Sequence, residues 1–156
     1  MIPYASWTGQ TKVLRVMREA GWRVLTGPHI LNRNAWLVPA WDDGTPAPYC
    51  IDNGAWSSFQ AGTPFNGKLF MRSVDMLADG ADFIVVPDIV EGGLESLRFS
   101  ESWLPKLQGY GAPLLVAVQD GMSVEDVNSI LGKDIGIFLG GSTEWKLDTM
   151  RDWGRA

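Results

Sequence analysis

The sequence comprises 156 residues, of which 46% are hydrophobic and 20% charged, a composition typical of a soluble globular domain with a substantial core. The net charge of -5 argues against a broad nucleic-acid-binding surface, although not against a local patch. The single cysteine rules out an internal disulfide and a cysteine-rich zinc site. No signal peptide and no apolar run of bilayer-spanning length is present, so we expect a cytoplasmic protein without a membrane partner.

Strand-like and helix-like stretches alternate along the chain. Short apolar runs predict six strands, at residues 2–6, 22–26, 49–52, 83–88, 114–119 and 135–141. Apolar residues at helical spacing predict helices at about 11–20, 67–78, 94–107, 123–131 and 143–153. In the third of these helices we expect Leu94, Leu97, Leu104 and Leu107 to face inward. Residues 28–48 hold four prolines and no clear period, which predicts an irregular connection.

The order of these elements predicts an α/β fold. The strands are continuous apolar runs, so both faces of their sheet should be covered, and their alternation with helices predicts parallel pairing with right-handed crossovers. One domain, residues 1–156, fits either an open doubly wound sheet or an incomplete (β/α) barrel of the TIM type, with about six of eight units. Residues 4–9 do not form the phosphate loop that a doubly wound sheet favours. Polar residues follow almost every strand, which favours the barrel.

Three polar side chains stand at the ends of neighbouring strands. Asp52 and Asp88 would project into one site, where a carboxylate can act as a general base, stabilise a developing cation or accept the N–H groups of a heterocycle. Gln119 offers one acceptor and two donors, which suit the edge of a purine-like base. Alternatively, the aspartates cap loops and the amide satisfies loop backbone. The presence of all three favours a shared site.

Two further segments are candidates for ligand contact. Gly140-Gly141 would let a ligand approach backbone N–H groups, or would form a tight turn before the last helix. Trp56 and Trp36 would stack on a flat base, or belong to the core. Neither segment decides between its two interpretations by itself.

Three reactive residues have structural interpretations. His29 has no second ligand at a metal spacing, so we expect an exposed loop histidine, no metal and no cofactor. Cys50 follows the first residue of an apolar run and is expected to be a buried small hydrophobe. Asp120 is expected to cap the turn at Gly121.

Four short segments at these strand ends resemble motifs of the tRNA-guanine transglycosylase superfamily. Asp52-Asn53-Gly54-Ala55-Trp56 is similar to an Asp-Ser-Gly-Gly-Phe-Gln-like segment that supplies a catalytic-site aspartate. Asp88 takes the place of a later aspartate that reads the base edge. Val118-Gln119-Asp120-Gly121 is similar to a Val-Gln-Gly-like segment with a base-binding glutamine. Gly140-Gly141-Ser142-Thr143 is similar to a Gly-Gly-Leu-Ala-like turn that gives backbone contacts to the base.

The resemblance is strongest with the shorter phage and bacterial members of that superfamily, which are thought to modify nucleic acid with 7-deazaguanine. It implies a (β/α)8 barrel and a transferase that exchanges guanine for a 7-deazaguanine at an N-glycosidic bond in tRNA or DNA. It assigns catalysis to one residue, Asp52. It assigns base binding to Asp88, Gln119, Gly140 and Gly141, and we group with them Asn53 and Trp56 from the first segment.

The chain departs from the family pattern in two respects. Ser142-Thr143 replaces a small apolar pair. The matched region, about residues 2–150, ends before the last two strands, the nucleophilic aspartate and the zinc site of the family. We expect either a sequence truncated at its C-terminus or a minimal form, in which another copy closes the barrel as a homo-oligomer or the protein binds without catalysing. The alternatives in function are a non-catalytic protein that sequesters a nucleobase or nucleotide, and an unrelated barrel enzyme acting on a small metabolite.

Overall fold

Six parallel strands form one sheet in which the spatial order follows the order in the chain. The computed structural model describes residues 2–7, 10–31 and 38–155. The strands are β1 (Tyr4–Ser6), β2 (Arg23–Thr26), β3 (Tyr49–Ile51), β4 (Ala81–Val85), β5 (Leu114–Val118) and β6 (Ile135–Leu139). Each strand pairs in parallel with the next. The predicted α/β class and parallel pairing are therefore confirmed.

Helices connect successive strands. They are α1 (Thr11–Glu19), α2 (Pro28–Leu31), α3 (Ala55–Gln60), α4 (Gly67–Leu77), α5 (Leu94–Leu107), α6 (Val124–Val127) and α7 (Thr143–Trp153), with a 3-10 turn at Gln108–Tyr110. Five of them lie where the periodicity predicts a helix, although α6 is shorter than predicted. Helix α2 begins the connection predicted to be irregular, and α3 was not predicted. Trp36 lies outside the described residues, so its predicted role stays a prediction.

The main core lies between the sheet and the helices. Its fully buried side chains include Val24, Ile51, Phe70, Val74, Ile84, Leu107, Leu114, Val116 and Val118. On β3, Tyr49 packs in this core and its hydroxyl donates to the Leu77 carbonyl at 2.7 Å. Because side chains alternate along a strand, Cys50 points to the opposite face of the sheet.

Helix α5 packs three of its four predicted leucines inward. Leu97, Leu104 and Leu107 are buried, whereas Leu94 is exposed. The prediction for Leu94 is wrong because this residue is the first of the helix, where the chain has only just left the loop that follows β4. The apolar periodicity therefore locates the helix correctly and overextends its buried face by one turn.

The pairing of β3 with β4 contains an irregularity. Tyr49 lies opposite Ala81 and Ile51 lies opposite Ile84, so two steps along β3 correspond to three steps along β4. After the extra residue, Ile84 and then Val86 pack in the helix-side core. Such bulges bend a strand and redirect the side chains that follow, and they are common next to functional sites.

Two strands form the edges of the sheet in the described part of the chain. Strand β1 pairs only with β2, and β6 pairs only with β5. The strand order contains no reversal, whereas a doubly wound sheet reverses its order at a switch point. Across residues 2–7, 10–31 and 38–155, every helix is too short or too polar to span a bilayer.

Candidate functional site

The predicted polar residues meet at the carboxyl edge of the sheet. Asp52 and Asn53 follow β3, Asp88 follows β4 and Gln119 follows β5. Because neighbouring parallel strands end at the same edge, these residues lie close together. Hydrogen bonds join Asn53, Asp88 and Gln119 into one network.

Asn53 connects the end of β3 to the end of β4. Its Nδ2 atom donates to the Val86 carbonyl at 2.8 Å and to Asp88 Oδ1 at 2.7 Å. Its Oδ1 atom accepts from the Ala55 backbone N–H at 2.7 Å, at the start of α3. The residue is only 3% exposed, so these bonds occupy a buried amide. Asn53 therefore holds Asp88 in place, and its donors point into the protein.

Gln119 directs its amide nitrogen into the loop that follows β4. Nε2 lies 2.9 Å from Ser96 Oγ, 3.0 Å from the Ile89 carbonyl and 3.4 Å from Asp88 Oδ2. An amide nitrogen has two hydrogens, so these three acceptors use both donors. Gln119 is 4% exposed, and its nitrogen satisfies loop backbone, which is the structural alternative predicted for it.

Ser96 is a member of this network that the sequence does not single out. This buried hydroxyl on α5 accepts from the Ile89 backbone N–H at 2.9 Å and from Gln119. Ser100, one turn later, is also buried and donates to the Pro87 carbonyl at 2.9 Å. Serines on the inner face of a predicted helix are the one signal in the sequence that could have identified them. Together they anchor the loop that carries Asp88.

Asp52 is a largely desolvated carboxyl group. Burial raises its pKa, while the backbone N–H groups of Gly54 and Asn53 and the charge of His29 act in the opposite direction. The Gly54 N–H donates to Asp52 Oδ2 at 3.2 Å. Gly27 at the end of β2 packs directly against this residue, since a Cβ atom there would lie 2.9 Å from the Asp52 carbonyl oxygen.

The structure changes the interpretation of His29. The residue is exposed, as predicted, but it belongs to the short helix α2 rather than to an irregular loop. It lies near enough to Asp52 for its charge to lower the pKa of that carboxyl. The sequence gives no sign of this pairing because the two residues are separated by the whole connection from β2 to β3.

Asp88 is the second carboxyl group with a raised pKa. Burial is the main cause, the hydrogen bond from Asn53 lowers the pKa, and the negative charge of Asp52 raises it again. Asp52 therefore lies near enough to Asp88 for its negative charge to favour the protonated form of Asp88.

The turn at Gly140-Gly141 is built around Asp120. Gly141 has φ of +76°, and a Cβ atom there would lie 2.5 Å from Asp120 Oδ2. Asp120 accepts from the Ser142 backbone N–H at 2.7 Å and from its hydroxyl at 2.6 Å, and these bonds lower its pKa. Asp120 thus caps the chain after β6, and the prediction that it caps the turn at Gly121 is wrong. The Gly140 N–H donates to the Val118 carbonyl at 2.9 Å, so this predicted donor is engaged within the sheet.

Trp56 lies on the surface of the protein. It is the second residue of α3, is 56% exposed and stacks on Phe59 with 5.7 Å between the ring centroids. An exposed aromatic pair close to Asp52 in the chain leaves a flat apolar surface available to a ligand. This placement agrees with the predicted stacking role and does not test it.

A cavity of about 270 Å³ adjoins the network. Asn53 and Gly54 line it on the side of the strand ends, and His29 of α2 also lines it. The remaining lining residues come from α2, from α3 and from the segment leading into α4: Pro28, Ser57, Ser58, Thr63, Pro64, Phe65, Asn66 and Leu69. The lining is a mixture of hydroxyl, amide and apolar groups, which suits a small polar ligand.

The remaining reactive groups do not extend the site. Cys50 is fully buried, as predicted, and burial raises the pKa of its thiol. In the described part of the chain, no three residues among the histidines, cysteines, aspartates and glutamates are grouped as metal ligands. No family model matches the chain, and no curated protein and no solved structure is significantly similar to it.

Proposed function

We propose that the chain is an incomplete (β/α) barrel that binds guanine or a 7-deazaguanine and exchanges the base at an N-glycosidic bond of tRNA or DNA. The strand order supports the barrel. With right-handed crossovers throughout, strands that follow chain order place every helix on the same side of the sheet. The other side is then covered only if the sheet curls around it.

Burial on that other side supports the curled sheet. Cys50, Val85 and Ala117 alternate with residues of the helix-side core, yet they are 0%, 2% and 4% exposed. Phe138 on the edge strand β6 is 40% exposed. A flat sheet without helices on this side would leave all four side chains in solvent. Burial that is complete in the central strands and partial at an edge is expected of an incomplete barrel.

The observation that carries the chemistry is the presence of two buried carboxyl groups, Asp52 and Asp88, at the ends of neighbouring strands. Burial raises both pKa values, so each group retains a proton at a higher pH than an exposed aspartate does. Breaking a glycosidic bond needs a proton for the leaving group and a negative charge near the sugar cation. A protonated Asp52 provides the proton, and the carboxylate that it then becomes provides the negative charge.

In the proposed reaction the bond from sugar C1′ to base N9 breaks, and its electron pair stays with N9. Protonated Asp52 delivers a proton to the departing base. The incoming base bonds to C1′ through N9 and returns its N9 proton to the Asp52 carboxylate, so the enzyme ends as it began. Asp88 accepts N–H groups from the edge of the base. The buried amides of Asn53 and Gln119 keep the Asp88 oxygens in position.

The test combines base binding with base exchange. The purified chain is titrated calorimetrically with guanine and with 7-cyano-7-deazaguanine, and the exchange of radiolabelled guanine is followed in tRNA and in duplex DNA. We expect Asp52→Asn to abolish exchange and keep base binding, and Asp88→Asn to lose base binding. Asp134→Asn, a change on the exposed loop before β6, serves as the control. Full exchange by Asp52→Asn, or no base binding by the folded chain, contradicts the proposal.

A second candidate function is the binding of a base without exchange. It is favoured by the hydrogen bonds that the amide groups of Asn53 and Gln119 donate within the protein. These bonds hold the site in one conformation, which suits a binding protein as well as it suits a catalyst. This function is supported if the wild-type chain binds the base but exchanges it in neither tRNA nor DNA, and if Asp52→Asn binds the base as tightly as the wild type does. The solution mass of the chain tests whether a second copy closes the barrel as a homo-oligomer.

A further inference from the structure

A shallow groove of about 660 Å³ lies between α4 and α5 on the outer, helical layer. Its lining consists of Gly67, Lys68, Met71, Arg72, Trp103 and Lys106. Three of these six residues are cationic and none is acidic. The chain as a whole has a net charge of -5, so the groove is a positively charged region on a negatively charged protein.

The floor of the groove is rigid. Trp103 packs edge-on against Phe65 and Phe70, with 5.8 Å between the centroids in each pair. A Cβ atom at Gly67 would lie 2.9 Å from the Trp103 ring, so the two helices approach closely only because residue 67 has no side chain. The Lys106 ammonium group stands 4.4 Å from the ring centroid, where the ring attracts it.

The positions of the cations on α4 do not favour the helix itself. Lys68 is exposed in the first turn, where the helix dipole disfavours a positive charge. Arg72 follows four residues later on the same face, and like charges at this spacing destabilise a helix. These two side chains concentrate positive charge in the groove. A ligand that carries several negative charges would be stabilised by the same arrangement.

The groove and the strand-end cavity lie on two sides of the first turn of α4. Gly67 and Lys68 line the groove, whereas Asn66 and Leu69 line the cavity together with Asn53. A chain of phosphates in the groove would thus run next to the proposed base site. Phosphate contacts of this kind fix the position of a nucleic acid without reading its sequence.

We infer that the groove between α4 and α5 binds the phosphate backbone of the nucleic acid whose base enters the strand-end site. The inference rests on the proposed function and assigns to the groove the phosphate contacts of its polynucleotide substrate. The three cations give binding that weakens steeply with salt, because each phosphate contact releases a bound counterion.

The test compares two lysines that occupy the same helix position. Lys68 is the second residue of α4 and Lys12 is the second residue of α1, and both are exposed. Glutamate at either position suits the helix dipole, so neither Lys68→Glu nor Lys12→Glu should lower the melting temperature. Binding of a fluorescein-labelled tRNA transcript is measured by anisotropy over a series of salt concentrations. We expect Lys68→Glu to weaken binding roughly 3- to 10-fold and to reduce the salt slope by about 1, and Lys12→Glu to change neither.

Other outcomes overturn the inference. It fails if the chain does not bind the transcript, or if Lys68→Glu and Lys12→Glu bind it equally well. It also fails if poly-glutamate competes as effectively as nucleic acid, since the groove would then recognise an acidic protein. Calorimetry with guanine separates this inference from the proposed function. If Lys68→Glu binds guanine as tightly as the wild type does but binds the transcript more weakly, the result supports both the inference and the proposed function. If the wild-type chain does not bind guanine but Lys68→Glu still weakens its binding to the transcript, the result contradicts only the proposed function.

Discussion

The Asn53 amide bridges the ends of two strands by donating to Asp88 Oδ1, with 2.7 Å between the donor and acceptor atoms. The same side chain bonds the Val86 carbonyl of the β4 end and the Ala55 N–H of α3. One buried residue therefore fixes a carboxyl group relative to two strands and a helix. This arrangement makes Asn53 a positioning residue, whose loss should be visible in the ionisation of its neighbour.

We expect Asn53→Ala to raise the pKa of Asp88, because the hydrogen bond from Asn53 is the main influence that lowers it. The change also leaves two buried backbone groups without their partner, at a cost of about 2 to 4 kcal/mol in the free energy of unfolding. Carboxyl NMR titration measures the pKa, and chemical denaturation measures the stability.

Asn66→Ala is the matched control for this change. Asn66 caps α4 by accepting from the Leu69 N–H at 3.0 Å on the exposed surface. Losing such a cap costs about 1 kcal/mol and should leave the pKa of Asp88 unchanged. Equal effects of the two substitutions on Asp88 would show that Asn53 has no special role.

Stability should respond to pH through Asp52 in the direction set by its raised pKa. The folded state holds the proton more tightly than the unfolded state, whose pKa is near 3.8, so this contribution is complete below that value and is lost as the pH rises through the folded pKa. Asp52→Asn imitates the neutral form. We expect its melting temperature, relative to that of the wild type, to increase from pH 3.5 to pH 8.

Asp120→Asn should show the opposite trend over the same range. Bonds from Ser142 lower the pKa of Asp120, so its contribution is present above 3.8 and is lost as the pH falls through the folded value. The variant should melt below the wild type at pH 7 and approach it in acid. Parallel trends for the two variants would contradict the assigned pKa directions.

Gly141→Ala should destabilise the chain more than Gly44→Ala does. Both glycines have positive φ, +76° and +83°, so both substitutions carry the same backbone strain of about 1 kcal/mol. Only Gly141 faces a close neighbour, because a Cβ atom there would meet Asp120 Oδ2 at 2.5 Å, whereas Gly44 has open space. We expect an additional cost of about 1 to 3 kcal/mol at Gly141. Chemical denaturation measures the difference, and equal losses would mean that Asp120 moves away freely.

Ser96→Ala should loosen the loop that carries Asp88. The buried hydroxyl accepts from the Ile89 N–H and from Gln119, which keeps two other acceptors, so its removal leaves the Ile89 N–H unpaired and costs about 1 to 2 kcal/mol. Ser102→Ala, a change on the exposed side of the same helix, removes a hydroxyl that only contacts the Phe99 carbonyl. Backbone hydrogen exchange at Ile89 should accelerate in the first variant and not in the second.

The sequence predicts the α/β class and the approximate positions of the strands because each strand is a short apolar run followed by polar residues. Tyr49 to Ile51 and Leu114 to Val118 carry this signal without ambiguity, and both are strands. The same logic places Asp52, Asp88 and Gln119 at one edge. It does not find α3, because a helix of six residues shows less than two turns of periodicity.

The details of the site are set by contacts that no local pattern encodes. The acceptors of the Gln119 amide depend on the position of Ser96 on α5, which is more than twenty residues away in the chain. The proximity of His29 to Asp52 and the hydrogen bond that the Ser142 hydroxyl donates to Asp120 depend in the same way on the packing of distant segments. Residue types at strand ends therefore predict the location of the site, and the tertiary structure decides which groups remain available to a ligand.

The extra residue in β4 separates a part of this strand that could lose a residue from a part that could not. Removing one residue between Ala81 and Ile84 would regularise the ladder and keep Ile84 opposite Ile51. Removing one residue after Ile84 would exchange the sides of the residues that follow, because the side of a strand alternates with every residue. A deletion after Ile84 would thus turn Val86 away from the helix-side core and displace Asp88 by one position. Selection should therefore eliminate deletions in this part of β4, whereas the turn at Gly44, where a Cβ atom would have open space, should tolerate substitution.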